Sequence, residues 1–137
     1  MSFSLIILAG GKSHRFKSNI SKPYQKIAGK SLVEINLIKA RQFKEIKKII
    51  LVFNRKDSKL IRSLKLKNVQ LIAGGKNRQQ STFNALKYLN NNKSISKVLI
   101  HDVARPNFSE KLFRSIIKNM KNSRAVIPKI KIQDAVK

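Results

Sequence analysis

The feature that most constrains the fold is an apolar run near the start of the chain that ends in two glycines. Residues 5–8 are hydrophobic at every position, which is typical of a strand buried on both faces, and Gly10 and Gly11 follow them. Glycines allow a sharp turn and let backbone N–H groups approach a ligand closely. Four basic or ionisable side chains come next: Lys12, His14, Arg15 and Lys22. Together these features predict a place where phosphates bind.

This first glycine pair matches neither standard nucleotide-binding motif. No Gly-Lys-Ser/Thr follows it at the spacing of a Walker P-loop, and Ser13 stands where a dinucleotide fold would place its second spaced glycine. On this stretch alone, a tight strand-to-loop turn with solvated lysines stays an alternative to a phosphate site.

Length and composition favour one domain with a real core, since the chain has 137 residues and is 42% hydrophobic. The absence of cysteine excludes disulfides and thiolate metal sites. No charged region precedes the first apolar run and no stretch approaches the roughly 20 apolar residues of a membrane span, so we expect a cytoplasmic protein without a signal peptide.

The net charge is extreme, with 31 Lys and Arg against 6 Asp and Glu, which gives +25. Such a chain attracts polyanions, so a basic nucleic-acid-binding module is a rival hypothesis. That function would need aromatic residues interleaved with the cations. Aromatic residues make up only 7%, and Phe83 and Phe113 are expected in the core, so we do not expect nucleic acid to be the partner.

Strands and helices alternate along the chain. Apolar runs predict strands at residues 3–8, 47–53, 69–72, 97–100 and 124–128. Capping residues and periodicity predict helices from Ser31 to about Phe43, from Asp57 to Leu64, over 79–89 and from Ser109, with a long loop over 9–30. This order predicts an α/β fold with a mostly parallel sheet and helices on both faces.

The buried faces of the helices follow from the spacing of their apolar residues. Three sets are expected to face the core: Leu32, Ile35, Leu37 and Ile38; Phe83, Leu86 and Leu89; Leu112, Phe113, Ile116, Ile117 and Met120.

Three strand ends carry unusual side chains, and the ends of parallel strands meet at one edge of a sheet. They are Gly10-Gly11 with Arg15, Gly74-Gly75 with Arg78, and Asp102 with Arg105. Asp102 is suited to two roles, a salt-bridge partner or a Mg²⁺ ligand beside substrate phosphates. Ser81 is equally suited to capping a helix and to binding a base or ribose. His101 is expected to be a packed, hydrogen-bonded side chain, and neither His14 nor His101 has neighbours at zinc-site spacing.

The ordered motifs resemble those of the 2-C-methyl-D-erythritol 4-phosphate cytidylyltransferase family. They are Leu8-Ala9-Gly10-Gly11-x-x-x-Arg15, Lys22, Gly74-Gly75-x-x-Arg78-x-x-Ser81 and His101-Asp102-x-Ala104-Arg105-Pro106. The resemblance implies a Rossmann-like nucleotidyltransferase fold and a step of the non-mevalonate isoprenoid pathway. It also implies that the substrates are CTP and methylerythritol phosphate, with Mg²⁺ as cofactor and a homodimer at full length.

The same resemblance implies roles for individual residues. CTP would be held by Ala9, Gly10, Gly11, Gly75, Arg78 and Ser81. Arg15 and Lys22 would stabilise the transition state, Asp102 would serve the Mg²⁺, and Arg105 would lie near methylerythritol phosphate.

The resemblance covers the first part of the family's domain, so we interpret residues 1–137 as a single nucleotidyltransferase domain that is incomplete at its C-terminus. Three interpretations of the chain are compatible with the sequence: a fragment of the enzyme, a catalytically dead fragment that still binds nucleotide, or the front of a fusion with a cyclodiphosphate synthase. Ala135 stands where the family has a substrate-contacting Thr, and Pro23 follows the lysine in place of Gln. A ribitol-phosphate cytidylyltransferase is the nearest alternative activity.

Overall fold

The computed structural model describes residues 1–11, 20–91 and 97–131. The chain forms two compact units, Met1–Pro106 and Asn107–Lys137. The predictions for Arg15, for His14 and for the segment around Ala135 lie outside the described residues. One nucleotidyltransferase domain over the whole chain stays a prediction.

The first unit alternates strands and helices, as the sequence predicts. Its strands are β1 (Phe3–Ala9), β2 (Lys26–Ile27), β3 (Lys30–Ser31), β4 (Ile46–Phe53), β5 (Gln70–Ala73) and β6 (Lys97–Asp102). Its helices are α1 (Leu32–Ala40), α2 (Ser58–Ser63) and α3 (Arg78–Asn90), with short 3₁₀ turns at Lys22–Tyr24 and Arg55–Asp57.

The main sheet has the order β5-β4-β1-β6, and all of its described pairings are parallel. Strand β1 lies at the centre, where Ile6 pairs with Ile50 on one side and Ile100 on the other. Every residue of β1 is buried, which confirms the prediction from its apolar run. The order reverses on either side of β1, so the crevice beside its carboxyl end is where sheets of this kind bind ligands.

Helices cover both faces of the sheet, as predicted. On one face, Leu5 and Ile7 of β1 pack in a cluster with Val33 and Leu37 of α1 and Ile61 of α2. On the other face, the second cluster joins β1 and β4 to α3 through Ile6, Leu8, Ile50, Val52, Ala85 and Leu89.

The predicted capping box begins α1. The Glu34 backbone N–H donates to Ser31 Oγ at 3.2 Å, and the Ser31 N–H donates to the Glu34 carboxylate at 2.8 Å. These hydrogen bonds from Ser31 lower the pKa of Glu34 because they stabilise its charged form. The helix ends at Ala40, before the predicted end near Phe43.

The predicted buried faces of three helices are wrong in part, and in the helix that begins after Ser109 the exception is Leu112, which is exposed. In α1, Ile38 is exposed and the buried polar residue is Asn36. In α3, Phe83 is 58% exposed and Leu86 is exposed, so Phe83 is not a core residue. Both α1 and α3 turn a different side to the sheet from the one predicted. Their buried residues include small or hydrogen-bonded side chains, Asn36 and Ala40 in α1 and Ser81 and Ala85 in α3, which the apolar spacing does not mark as core residues.

Two local predictions before α2 are also wrong. The stretch over 9–30 is not a continuous loop, because β2 and β3 pair as a hairpin within it. Asp57 precedes α2 without capping it, and Asn54 instead caps the preceding 3₁₀ turn by accepting from the Lys56 N–H.

The second unit contains α4 (Glu110–Asn119), which Ser109 caps as predicted by accepting from the Leu112 N–H. The predicted strand over 124–128 is absent from the described residues, and Ile127 is 86% exposed. A strand needs a hydrogen-bonded neighbour, which residue propensity alone does not supply. No described helix has the length and apolar character that crossing a membrane requires.

Candidate active site

A cleft of about 690 Å³ opens at the carboxyl edge of the parallel sheet, where the reversal in strand order places a ligand site. Each main strand sends residues into or next to it. The described residues that line it are Leu8, Gly10, Gly11, Lys22, Pro23, Asn54, Gly75, Lys76, Asn77, Arg78, Ser81, Asp102, Val103, Ala104 and Arg105. The three strand ends singled out in the sequence therefore converge on one cleft.

The two glycines after β1 differ in their surroundings. A methyl group added at Gly11 would meet no atom of the described residues within 4 Å, and one added at Gly10 would make ordinary contacts at 3.8 Å or more with Phe53, Ser81 and Asn54. Neither glycine has a positive φ. Packing against the described residues and backbone conformation would therefore both allow a side chain at either glycine. The two glycines line the cleft.

The glycine pair after β5 is packed against α3. The Gly74 N–H donates to the Phe53 carbonyl at 2.8 Å, and the Gly75 N–H donates to Ser81 Oγ at 3.0 Å. A methyl group added at Gly75 would lie 2.1 Å from Cγ and 2.6 Å from Cβ of Gln80. The loop can lie this close to the helix because its two glycines have no side chains.

Ser81 serves the loop and does not cap the helix. Asn77 caps α3 by accepting from the Gln80 N–H at 2.8 Å, while the Ser81 hydroxyl accepts from Gly75. Ser81 is 6% exposed and lines the floor of the cleft.

Asp102 is held between two arginines at the end of β6. Its Oδ1 accepts from Nε and Nη2 of Arg78 at 3.2 and 3.1 Å, and its Oδ2 lies 3.8 Å from Nε of Arg105. The pair with Arg78 joins the loop after β5 to the end of β6. Because the Asp102 side chain is 36% exposed and Arg78 is 65% exposed, this pair contributes little to stability and is open to exchange with a ligand.

The turn that carries Arg105 is fixed from behind by His101 and Asn36. His101 Nε2 lies 2.9 Å from both Asn36 Oδ1 and the Arg105 carbonyl. Both partners are acceptors, because the Asn36 amide nitrogen donates to the Leu32 and Val103 carbonyls, so Nε2 carries a hydrogen. Burial is the main cause that lowers the pKa of His101. The prediction of a packed, hydrogen-bonded histidine is confirmed.

Lys22 reaches the cleft from the 3₁₀ turn Lys22–Tyr24. It is exposed, whereas Pro23 and Tyr24 beside it are buried. The preceding residue, Ser21, donates its hydroxyl to Asp57 Oδ1 at 2.7 Å. The turn thus presents its lysine to the cleft while its other side chains anchor it to the unit.

The cleft has an excess of positive charge. Its described lining includes four cationic side chains, of Lys22, Lys76, Arg78 and Arg105, against the single carboxylate of Asp102. Such an arrangement attracts polyphosphates. Among the described residues, no group of three or more His, Cys, Asp or Glu side chains could hold a metal by itself. A Mg²⁺ ion bound to a polyphosphate needs only one or two carboxylates, and the accessible oxygens of Asp102 fit that demand.

Most of the predicted site residues that the structure describes line this cleft. They are Gly10, Gly11, Lys22, Gly75, Arg78, Ser81, Asp102 and Arg105. Ala9 does not line it, because it is 1% exposed and its side chain packs in the core. Arg15 lies outside the described residues.

Three polar or charged lining residues were not predicted as site residues: Asn54, Lys76 and Asn77. Asn54 directly follows β4, so the rule that parallel strands end at one edge would have found it. Lys76 and Asn77 stand between the second glycine pair and Arg78, within a motif that was already recognised.

Comparison with known proteins agrees with this geometry. The family model of 2-C-methyl-D-erythritol 4-phosphate cytidylyltransferase matches residues 3–137. The "Bifunctional enzyme IspD/IspF" of Pelagibacter ubique is 45% identical over 137 residues, which is 100% of this chain and 37% of that protein. The crystal structure of 4-diphosphocytidyl-2C-methyl-D-erythritol synthase from Anaerococcus prevotii has a TM-score of 0.82 and 35% identity, covering 99% of this chain and 58% of that one.

One relative carries a different name. The "Bifunctional ribulose 5-phosphate reductase/CDP-ribitol pyrophosphorylase Bcs1" of Haemophilus influenzae is 34% identical over 136 residues, covering 96% of this chain and 29% of that protein. The chain therefore spans between about a third and three fifths of the length of the first relatives it matches.

Proposed function

The chain belongs to the 2-C-methyl-D-erythritol 4-phosphate cytidylyltransferase family, and from this we propose that it forms the nucleotide-binding part of an enzyme that transfers the cytidylyl group of CTP to 2-C-methyl-D-erythritol 4-phosphate. A phosphate oxygen of the acceptor attacks the α-phosphorus of CTP, the bond to the β-phosphate oxygen breaks, and pyrophosphate leaves. Homodimer formation by the complete protein and a cytoplasmic location belong to the same proposal.

One observation carries this proposal: three separate strand ends bring a glycine turn, cations and one carboxylate to a single cleft. Transfer of this kind depends mainly on positioning and on stabilising the charge that develops on phosphate oxygens. The open glycine turn at Gly10 and Gly11 leaves room for close approach of the nucleotide, and Lys22 and Arg78 supply positive charge.

Asp102 is the residue that would hold Mg²⁺ beside the triphosphate. The ion supplies charge neutralisation on the phosphate oxygens when it is bound. Arg78, which pairs with Asp102 through two N–H groups, would then be free to donate to the nucleotide. Arg105, three residues beyond Asp102 and 3.8 Å from its carboxylate, would bind the phosphate of the acceptor.

A second candidate is cytidylyl transfer to ribitol 5-phosphate. The likeness to the Haemophilus influenzae protein named as a CDP-ribitol pyrophosphorylase favours it. Both activities use the same CTP cleft, so they differ only in the acceptor.

The test is pyrophosphate release by the complete reading frame that contains this chain, with CTP and Mg²⁺ and with either acceptor or none. We expect release that depends on methylerythritol phosphate, and release that depends only on ribitol 5-phosphate would establish the second candidate. Asp102→Asn is expected to remove the Mg²⁺-dependent turnover. Glu110→Gln makes the same chemical change at an exposed acid of α4 and is expected to leave turnover unchanged. Undiminished turnover in Asp102→Asn would contradict the role given to this residue.

A further inference from the structure

Asp57 carries a buried carboxylate that does not line the cleft. It is 4% exposed, and it is one of only 6 acidic residues in a chain with 31 Lys and Arg. Its Oδ1 accepts from the Ser21 hydroxyl at 2.7 Å. Its Oδ2 is buried and has no hydrogen-bond partner among the described residues. No lysine or arginine of the described ranges 1–11, 20–91 and 97–131 forms an ion pair with it.

Asp57 is poorly explained as a stabilising residue. It stands at the start of α2, yet its side chain makes no capping hydrogen bond there. Burying a charged carboxylate is unfavourable unless it is paired and well hydrogen-bonded, and this one has a single side-chain donor. An apolar or neutral side chain would fill the position at lower cost in free energy.

Asp57 interacts with residues on both sides of Lys22. Ser21, immediately before it, leaves the N-terminus of the 3₁₀ turn uncapped and donates to Asp57 instead. Tyr24, two residues after it, is 6% exposed, and its hydroxyl has no partner in the described part of the chain. Burial first, and then the charge of Asp57, raise the pKa of the Tyr24 phenol, so the carboxylate faces this side chain too.

The turn itself is held by few other polar contacts. The Tyr24 N–H donates to the Ser21 carbonyl at 2.9 Å and the Gln25 N–H to the Lys22 carbonyl at 3.2 Å, both within the turn. The Ser21 to Asp57 bond is the side-chain link that ties this turn to the segment after β4, across 36 residues of sequence. Pro23 and Tyr24 also anchor the turn by their burial, and the Ser21 link adds a polar contact directly beside Lys22.

We propose that Asp57 is a positioning residue for Lys22: through Ser21 it fixes the Lys22–Tyr24 turn at the mouth of the cleft, so that the Lys22 ammonium stays where charge develops on the phosphates. This rests on the proposed function for the role of Lys22. A preorganised cation stabilises a transition state better than a mobile one, since it needs no reorganisation during the reaction. Asp57 touches no substrate in this account.

The first experiment compares Ser21→Ala with its parent in the complete reading frame. We expect kcat for pyrophosphate release to fall by about 10-fold to 100-fold, in line with the effect of small misplacements of catalytic groups. The dissociation constant of CTP, measured by calorimetry without acceptor, is expected to change less than twofold. Asp57→Asn keeps an oxygen that can accept from Ser21, and it should retain much more activity than Ser21→Ala.

The matched control is Ser63→Ala. Its hydroxyl also donates a hydrogen bond of 2.7 Å, to the Leu60 carbonyl and on the exposed side of α2. It should leave kcat unchanged. Equal losses of kcat and of CTP affinity in Ser21→Ala would indicate a general structural role and would overturn the proposal, as would an unchanged kcat.

A second experiment does not depend on turnover. Amide hydrogen exchange at Tyr24 and Gln25 should become faster in Ser21→Ala than in the parent, and not in Ser63→Ala. Unchanged exchange at these amides would show that the link does not hold the turn, whatever the activity. If the parent releases no pyrophosphate with either acceptor, the proposed function fails, while the exchange result still decides whether Ser21 and Asp57 fix the turn.

Discussion

The two glycine pairs look alike in the sequence but have different roles in the structure. Gly10 and Gly11 follow β1, where an added methyl group would make only ordinary contacts at Gly10 and none at Gly11, so packing against the described residues does not require either to lack a side chain. Gly74 and Gly75 follow β5 and lie against α3, where an added methyl group at Gly75 would overlap Gln80. The first pair makes room for a ligand, and the second makes room for the protein itself.

This difference separates a binding role from a packing role for the same residue type. The sequence predicts a phosphate site at the first pair, and the family resemblance implies that Gly10, Gly11 and Gly75 hold CTP. The structure adds that the second pair also builds the site indirectly, since its close approach to α3 brings Ser81 and Arg78 to the cleft. Substitutions at the two pairs should therefore change different measured quantities.

The largest expected effect on stability is that of Gly75→Ala. The new Cβ would lie 2.1 Å from Gln80 Cγ and 2.6 Å from Gln80 Cβ, so the loop or the first turn of α3 must shift. We expect the free energy of unfolding to fall by about 1–3 kcal/mol, as for other overpacked sites. Urea unfolding of the parent and the variant measures it, and an unchanged midpoint would mean that this loop is as open as the first one.

Gly11→Ala should give the opposite pattern. Since the added methyl group meets no atom of the described part of the chain within 4 Å, the free energy of unfolding should change by no more than about 0.5 kcal/mol. The methyl group would oppose close approach of a nucleotide, so we expect the affinity for CTP to fall about 10-fold, or about 1.4 kcal/mol. Calorimetric titration with CTP measures this, and unaltered affinity would remove the ligand-binding explanation for the first pair.

The smallest expected effect concerns the third strand end, where side chains and not glycines fix the turn. Burial lowers the pKa of His101 below its ordinary value of about 6.5, so the folded state favours the neutral ring. Its contribution to stability is complete above pH 6.5 and is lost as the pH falls through the lowered pKa. The loss is at most about 1.4 kcal/mol per pH unit, and less at this half-buried site.

The measurement is the urea midpoint between pH 7.5 and pH 5 for the parent and for His101→Gln. Gln keeps an N–H donor for the Arg105 carbonyl but does not titrate. The parent should lose more stability than His101→Gln over this range. If the urea midpoints of the two proteins fall in parallel with pH, protonation of His101 does not destabilise the folded state in this range.

The strands of the sheet could be predicted well because each contains an apolar run beside a turn, and β1 and β4, the inner strands, also bury theirs. The convergence of Gly10, Arg78 and Asp102 followed from the rule that parallel strands end at one edge. The faces of α1 and α3 could not be predicted from periodicity, because Asn36 and Ser81 are buried through hydrogen bonds with backbone groups outside their own helices. Such partners become visible only once the strands are assembled.

Other features depended on local geometry that the sequence shows weakly. The β2–β3 hairpin turns at Ala28 and Gly29, which have φ values of 50° and 80°. Glycine is common in such turns, but alanine at positive φ is not, so the stretch resembled a loop. The link between Ser21 and Asp57 joins residues 36 positions apart, and neither of them belongs to a recognised motif.

The central position of β1 has a consequence for the order in which the unit can be completed during synthesis. Strand β1 is made first, yet its neighbour β6 begins only at Lys97, after β5 has ended at Ala73. At 5–20 residues per second, the ribosome needs about one to five seconds to add the intervening chain. Over that time one edge of a predominantly apolar strand stays unpaired and open to association with other chains. Because β6 also brings Asp102, the cleft is complete only when this vulnerable edge is covered, and a nascent chain that binds nucleotide has already passed its greatest risk of aggregation.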